Sequence, residues 1–130
     1  MTISHKLAIM AKAAGYFTDK GAPLAYDRNG VIFNNQGRNN KTFTGFEAPT
    51  MAQLSRWLRE TQLIMIETTA VNSWDEWISR IYANEAKNPF HFLGVTDGAR
   101  TFELAHEQGL VRSLQFLLEV KHNTATEGGL

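Results

Sequence analysis

The run Leu63-Ile64-Met65-Ile66-Glu67-Thr68, followed by Ser73-Trp74-Asp75-Glu76-Trp77-Ile78-Ser79-Arg80-Ile81-Tyr82, decides the fold. The first segment is short, partly β-branched and apolar on both alternating faces through Ile66. That is the pattern of an interior strand. The second segment supports two readings. Ser73 with Glu76 three residues later matches a capping box, and Trp74, Trp77, Ile78, Ile81 and Tyr82 recur at helical spacing. Its Trp, Ile and Tyr content and the apolar strand just before it favour a second strand instead.

On the N-terminal side, Thr50-Met51-Ala52-Gln53 is a clear helix start. The Thr50 hydroxyl and the Gln53 amide are spaced to satisfy orphan backbone donors reciprocally. Leu54, Trp57, Leu58 and Thr61 then line one face, so the spacing predicts a helix over about 51–60. Before it, the segment from Asn34 to Gly45 is polar and turn-rich and reads as a loop. Further back, Asp27-Arg28-Asn29-Gly30 is a tight turn between Leu24-Ala25-Tyr26 and Val31-Ile32-Phe33, a hairpin. A single Tyr-Asp turn does not make a shell repeat, which needs many copies. Ile3, Leu7, Met10, Ala11 and Ala14 predict a first helix over about 4–14, capped by Ser4 or Thr2 and stopped at Gly15.

On the C-terminal side, Ala86-Lys87-Asn88-Pro89 breaks the chain, Phe90-His91-Phe92-Leu93 reads as a short strand, and Thr96-Asp97-Gly98 reads as a turn. Thr101 caps a last helix expected over about 102–120, with Glu103 in its first turn. Phe102, Ala105, Gly109, Phe116 and Val120 form one stripe of that helix. Leu104, Val111 and Leu118 lie nearly opposite. A helix apolar around more than half its circumference is buried on two sides; the second contact is either within the domain or with another subunit, and in the latter case Leu104, Val111 and Leu118 are the candidate partner or self-association surface. The tail 123–130 reads as disordered, leaving a single domain over 1–122.

Composition narrows the chemistry. The chain has 130 residues and no cysteine, which removes disulfides, a thiol nucleophile and every thiolate zinc site. Thirteen basic and thirteen acidic side chains give a formal net charge of zero, without the basic excess of a dedicated nucleic-acid binder. A local patch of Arg38, Lys41, Arg56 and Arg59 is the candidate contact for nucleic acid. No apolar run approaches the ~20 residues of a membrane-spanning helix. No secretory signal is expected at the N-terminus, and the expected location is the cytoplasm.

The four histidines, His5, His91, His106 and His122, are not spaced for joint metal binding on one helix. His106-Glu107 begins like a metalloprotease helix, but Leu110 stands where the second histidine belongs. His106 reads as a half-buried, hydrogen-bonded residue. No glycine-rich phosphate loop precedes a helix, and the serines lack a nucleophile elbow. No catalytic, cofactor-binding or metal-binding residue is assigned and no cofactor is expected. A small enzyme with a site assembled in space stays as an alternative.

Three segments together carry a resemblance. They are Pro49-Thr50-x-x-x-Leu54-x-x-Trp57-Leu58-Arg59-Glu60, the middle run Trp77-Ile78-Ser79-Arg80-Ile81-Tyr82, and Thr101-Phe102-Glu103-x-Ala105-x-Glu107-x-Gly109-Leu110-x-x-x-Leu114-x-x-Leu117-Leu118. Over about 49–118 the chain resembles the short uncharacterised proteins encoded by phages and integrated elements of gut Bacteroides-type bacteria. The resemblance implies an intracellular accessory product with no assigned activity, and it implies a strand rather than a helix over 76–82. The capping box at Ser73 departs from that pattern. The resulting expectation is an α+β fold: a small antiparallel sheet, with strands near 24–26, 31–33, 63–68 and 76–82, covered by three helices. The expected function is a non-enzymatic interaction protein, with a nucleic-acid-binding accessory module and a small enzyme as alternatives.

Overall fold

A computed structural model describes residues 2–16, 23–34, 45–71, 76–85 and 88–128, with the backbone alone for 84–85, 88–90 and 121–128. The element order is α1 (His5–Ala13), β1 (Leu24–Tyr26), β2 (Ile32–Asn34), β3 (Phe46–Glu47), α2 (Met51–Thr61), β4 (Ile64–Val71), β5 (Glu76–Glu85), β6 (Asn88–Val95) and α3 (Phe102–Gly128). The class is α+β. The strands divide into two antiparallel sheets, β2-β1-β3 and β4-β5-β6, where one was expected. The division follows from β3, a two-residue strand without any sequence pattern of its own. It pairs with β1 through Ala25–Glu47 and Tyr26–Phe46 and so completes the first sheet. The chain packs as two compact units, Met1–Gln53 with Leu117–Leu130, and Leu54–Phe116.

In the first unit, α1 starts where the Ser4 hydroxyl accepts from the Leu7 N–H at 3.2 Å. It ends in a Schellman motif. The Tyr16 N–H donates to the Ala11 carbonyl at 2.8 Å and the Gly15 N–H to the Lys12 carbonyl at 3.0 Å. Gly15 has φ +101°, which explains why glycine stands there. Leu7, Ala8 and Ala11 form the buried stripe of the helix. The β1–β2 turn is held by the Asp27 carboxylate, which accepts from the Asn29 N–H at 2.8 Å and the Val31 N–H at 2.9 Å.

In the second unit, β4 and β5 pair over eight residues, from Ile64–Ala83 to Val71–Glu76. The strand reading of 76–82 therefore holds, and the strand extends to Glu85. The cap residue Ser73 of the competing helix reading lies outside the described residues. Pairing with β4 lets both faces of the segment be used: Ser79 and Ile81 are buried, whereas Ile78, Arg80 and Tyr82 are half-buried. β6 adds to β5 with register shifts on both sides of the Tyr82–Phe92 and Ala83–His91 pairs.

The expected helix caps form. The Thr50 N–H donates to Gln53 Oε1 at 2.9 Å and the Gln53 N–H to Thr50 Oγ1 at 3.1 Å. The Leu104 N–H donates to Thr101 Oγ1 at 3.2 Å. α3 runs on to Gly128, past the expected end at 120 and through the stretch read as a tail. Leu54 and Leu58 of α2, Ile64 and Ile81 of the sheet, and Ala105, Leu110 and Leu114 of α3 form the core of the second unit, all almost fully buried. α3 approaches the sheet closely at Gly109. A Cβ there would lie 2.8 Å from Ile66 Cγ2 and 2.9 Å from Ser79 Cβ.

Candidate functional site

Two features of the second unit stand out, one on each face of its sheet. On the helix-covered face, His106 is hydrogen-bonded at both ring nitrogens. Its Nε2 lies 2.7 Å from Ser55 Oγ of α2, and its Nδ1 lies 3.0 Å from Thr68 Oγ1 of β4. Thr68 Oγ1 lies 2.7 Å from Ser79 Oγ of β5, and Ser79 Oγ donates to the Ala105 carbonyl at 2.8 Å. A carbonyl only accepts, so it orients every proton in the chain. Ser79 gives its hydrogen to Ala105, Thr68 gives its hydrogen to Ser79, and Thr68 accepts from Nδ1–H. Nε2 is then the bare nitrogen and accepts from the Ser55 hydroxyl. This network assigns the Nδ1–H tautomer.

Burial lowers the pKa of His106. Each partner in the relay is neutral, and no carboxylate among the described residues hydrogen-bonds the ring to favour the imidazolium. Phe102 stacks on the imidazole at 5.6 Å with an 8° interplanar angle, and Trp77 meets Phe102 edge-on. Ser79 is further fixed through its backbone, whose N–H donates to Thr96 Oγ1 at 2.9 Å. The connectivity Ser55–His106–Thr68 is that of nucleophile, base and orienter. Inspected one at a time, the serines gave no sign of it. They come together only through the β4–β5 register and the docking of α3.

On the opposite face, the register brings together Met65, Glu67, Thr69 and Val71 of β4 with Glu76, Ile78, Arg80 and Tyr82 of β5. Phe92 and Val95 of β6 pair with Tyr82 and Arg80 and join that face. None of these ten side chains is buried, whereas Ile64, Ser79, Ile81 and Ala83 on the helix-covered face are. Phe92 is 53 % exposed and Val95 45 % exposed. Tyr82 and Phe92 pack ring to ring at 5.8 Å. At the middle of the face, Arg80 Nη1 stands 3.5 Å from Glu67 Oε1 and donates to Thr69 Oγ1 at 3.3 Å. The result is a sheet surface with Met65, Val71, Ile78, Tyr82, Phe92 and Val95 around one ion pair, and with the exposed Glu76 at the end of β5. The Trp, Ile and Tyr content of β5 was visible in sequence, but not which face the helices would leave uncovered.

The residues singled out from sequence fall elsewhere. Leu104 is exposed and Val111 half-buried, both in the second unit, and Leu118 is half-buried in the part of α3 that belongs to the first unit. Arg56 and Arg59 are exposed on α2, with Arg56 paired to Glu60 at 3.0 Å. Arg38 and Lys41 lie outside the described residues. Among the described residues no three His, Asp or Glu side chains group as metal ligands, and no helix is long and apolar enough to cross a membrane.

In the first unit, His5 packs between Tyr26 and Phe46, its Nε2 buried without a hydrogen-bond partner among the described residues. Tyr16 is buried, and its hydroxyl is pushed up to about 12 by burial, with the Glu47 carboxylate adding to the shift. No family model, no curated protein and no solved structure matches the chain.

Proposed function

We propose that this chain is a non-enzymatic interaction protein of the cytoplasm. In this reading it is an accessory product of a phage or integrated element, of the kind its sequence resembles. Its working surface is the open face of β4-β5-β6. The observation that carries the reading is the contrast between the two faces of one sheet: Ile64, Ser79, Ile81 and Ala83 are buried on the helix-covered side and Ile66, Thr68, Ala70 and Trp77 half-buried, whereas none of the ten side chains on the other side is buried. Contiguous apolar surface of this kind marks interaction sites, whereas scattered exposed hydrophobes carry no such meaning. The test is an environment-sensitive apolar dye added to the native protein. Dye fluorescence is expected to rise and to fall several-fold in Phe92→Lys/Val95→Lys, with the cooperative melt retained. Equal dye response in the two proteins would refute the assignment.

The hydroxyl–imidazole relay favours a second reading, an esterase-like enzyme with Ser55 as nucleophile and His106 Nε2 as base. The interaction reading ranks above it because the relay ends at a carbonyl, leaving an imidazolium without a counter-charge. A fluorophosphonate probe separates the two. Labelling at Ser55 that is lost in His106→Gln would establish the enzyme, and an unlabelled protein is the result expected here. The nucleic-acid reading draws on Arg56 and Arg59 only, of which Arg56 is already paired with Glu60. No mobility shift with DNA or RNA at low salt is expected.

A further inference from the structure

We infer that Asn29 is a self-modification site: its side-chain amide is lost through attack by the backbone nitrogen of Gly30, and the product permanently alters the β1–β2 hairpin. The inference is independent of the open face of β4-β5-β6. It starts from the turn Asp27-Arg28-Asn29-Gly30. Asparagine is a thermolabile residue, and glycine after it leaves no side chain to hinder attack by the following nitrogen. Of the nine asparagines in the chain, only Asn29 precedes a glycine.

The fold holds glycine at that place for two reasons. Gly30 has φ +85°, and a Cβ there would stand 3.0 Å from His5 Nδ1. A bulkier successor, which would shield Asn29, is therefore disfavoured. Asn29 itself is exposed. Its backbone N–H donates to Asp27 Oδ1 at 2.8 Å, whereas its side-chain amide makes no hydrogen bond among the described residues.

The reaction needs only water. The Gly30 nitrogen gives its proton to solvent and bonds to Asn29 Cγ. The bond from Cγ to Nδ2 breaks, and ammonia leaves with a proton taken from solvent. The succinimide that remains is opened by water at either carbonyl. Opening at Cγ gives aspartate at position 29. Opening at the main-chain carbonyl gives isoaspartate, whose backbone runs through the former side chain.

One bond sets the pace. The Gly30 N–H donates to the Asp27 carbonyl at 3.1 Å and closes the turn. A nitrogen that keeps its proton in a hydrogen bond is a poor nucleophile, so attack proceeds from the opened turn. Opening is local, because β1 and β2 have three residues each and Leu24 and Ile32 on them are exposed. The product does not rebuild the turn. Either form adds a negative charge close to the Asp27 carboxylate. Isoaspartate also lengthens the main chain between the N–H groups of Asn29 and Val31, which Asp27 Oδ1 accepts at 2.8 and 2.9 Å. One oxygen then fails to reach both, and the adjoining Tyr26–Ile32 register is lost. β1 keeps β3 and the bond from the Tyr26 hydroxyl to the Ile3 carbonyl at 2.7 Å, so β2 is the strand released.

Incubating the full chain at mildly alkaline pH, followed by peptide mapping with mass spectrometry, tests this. The peptide carrying Asn29 is expected to gain the mass of an amide-to-acid conversion and to split into two forms. An isoaspartate-specific methyltransferase should label one of them. The native chain should convert several-fold more slowly than the urea-unfolded chain. Asp27→Ala, which removes both turn bonds to the carboxylate, should convert several-fold faster than the wild type, with circular dichroism as the check on its fold. If that variant unfolds, urea below the melting transition takes its place and should speed conversion of the wild type. Conversion led by another asparagine, a native chain that stays intact while the unfolded chain converts fully, or a rate unmoved by loosening the turn would each overturn the inference.

Discussion

Replacing Gly109 by alanine tests how α3 is seated on its sheet. In an exposed helix interior the change stabilises by about 1 kcal/mol, because glycine is the poorer helix former. Here the new Cβ would come 2.8 Å from Ile66 Cγ2 and 2.9 Å from Ser79 Cβ. Carbon atoms in contact prefer ~3.5–4.0 Å, so the helix must lift by roughly 0.7 Å or more. Lifting stretches the bond from Ser79 Oγ to the Ala105 carbonyl, now 2.8 Å, to the limit of a hydrogen bond. Overpacking costs about 2 kcal/mol and the weakened bond about 1 kcal/mol, against the ~1 kcal/mol propensity gain. The net expectation is a loss of about 2 kcal/mol. In a domain of this size that lowers Tm by roughly 5–10 °C.

Gly94→Ala is the matched control. A Cβ there meets only Arg112 Nη2 at 3.7 Å, and its backbone needs no positive φ, so the change should be neutral or slightly stabilising. Urea denaturation of the two variants beside the wild type measures the difference directly. A Gly109→Ala protein as stable as the wild type, or more so, would show that α3 does not press on Ile66 and Ser79.

Three further outcomes follow from single residues. Leu63 has φ +57° between α2 and β4 and is 50 % exposed, so Leu63→Gly should relieve about 1 kcal/mol of strain and raise the urea midpoint. His106 has its pKa lowered in the folded state, so the unfolded chain takes up its proton first as pH falls. The stability it contributes is complete above pH ~6.5 and is lost as pH drops through the folded value. Urea midpoints measured at pH 8 and pH 5 should differ less in His106→Gln than in the wild type. Tyr16 is pushed up to about 12 from 10.0, so its contribution is complete below pH 10 and is lost as pH rises through about 12. In an ultraviolet titration one of the three tyrosines should ionise last, and Tyr16→Phe should remove that late step.

Local chemistry made the helix starts and the first turn legible. Ser4, Thr50 and Thr101 cap helices because each hydroxyl reaches a donor three residues on, a distance fixed within one turn. Asp27 and Gly30 closed the hairpin for the same reason, within four residues. Elements that depend on partners were less legible. Phe46-Glu47 has no strand pattern and is a strand only because Tyr26 and Ala25 present their backbone to it. The 76–85 segment carries a helix-like periodicity that pairing with β4 overrides, since eight residue pairs outweigh one cap.

The candidate site shows the same limit more sharply. Ser55, Thr68, Ser79 and His106 span 51 positions between the first and the last, and only their assembly orders the protons. Leu104, Val111 and Leu118 were singled out because helical spacing is visible in sequence, whereas Met65, Tyr82, Phe92 and Val95 are united by strand register, which is not. Register also explains why the open face is apolar at all. β5 places Glu76, Ile78, Arg80 and Tyr82 on the face opposite the buried Ser79 and Ile81, in a sheet whose helices cover one side. A sheet meant to face water on that side would alternate apolar with polar residues. Here the outward positions of the central strand run Glu76, Ile78, Arg80 and Tyr82, and the arginine between Ile78 and Tyr82 is held by Glu67 and Thr69. The pairing keeps a charge on the face while fixing its direction, as an interface needs and a solvated surface does not.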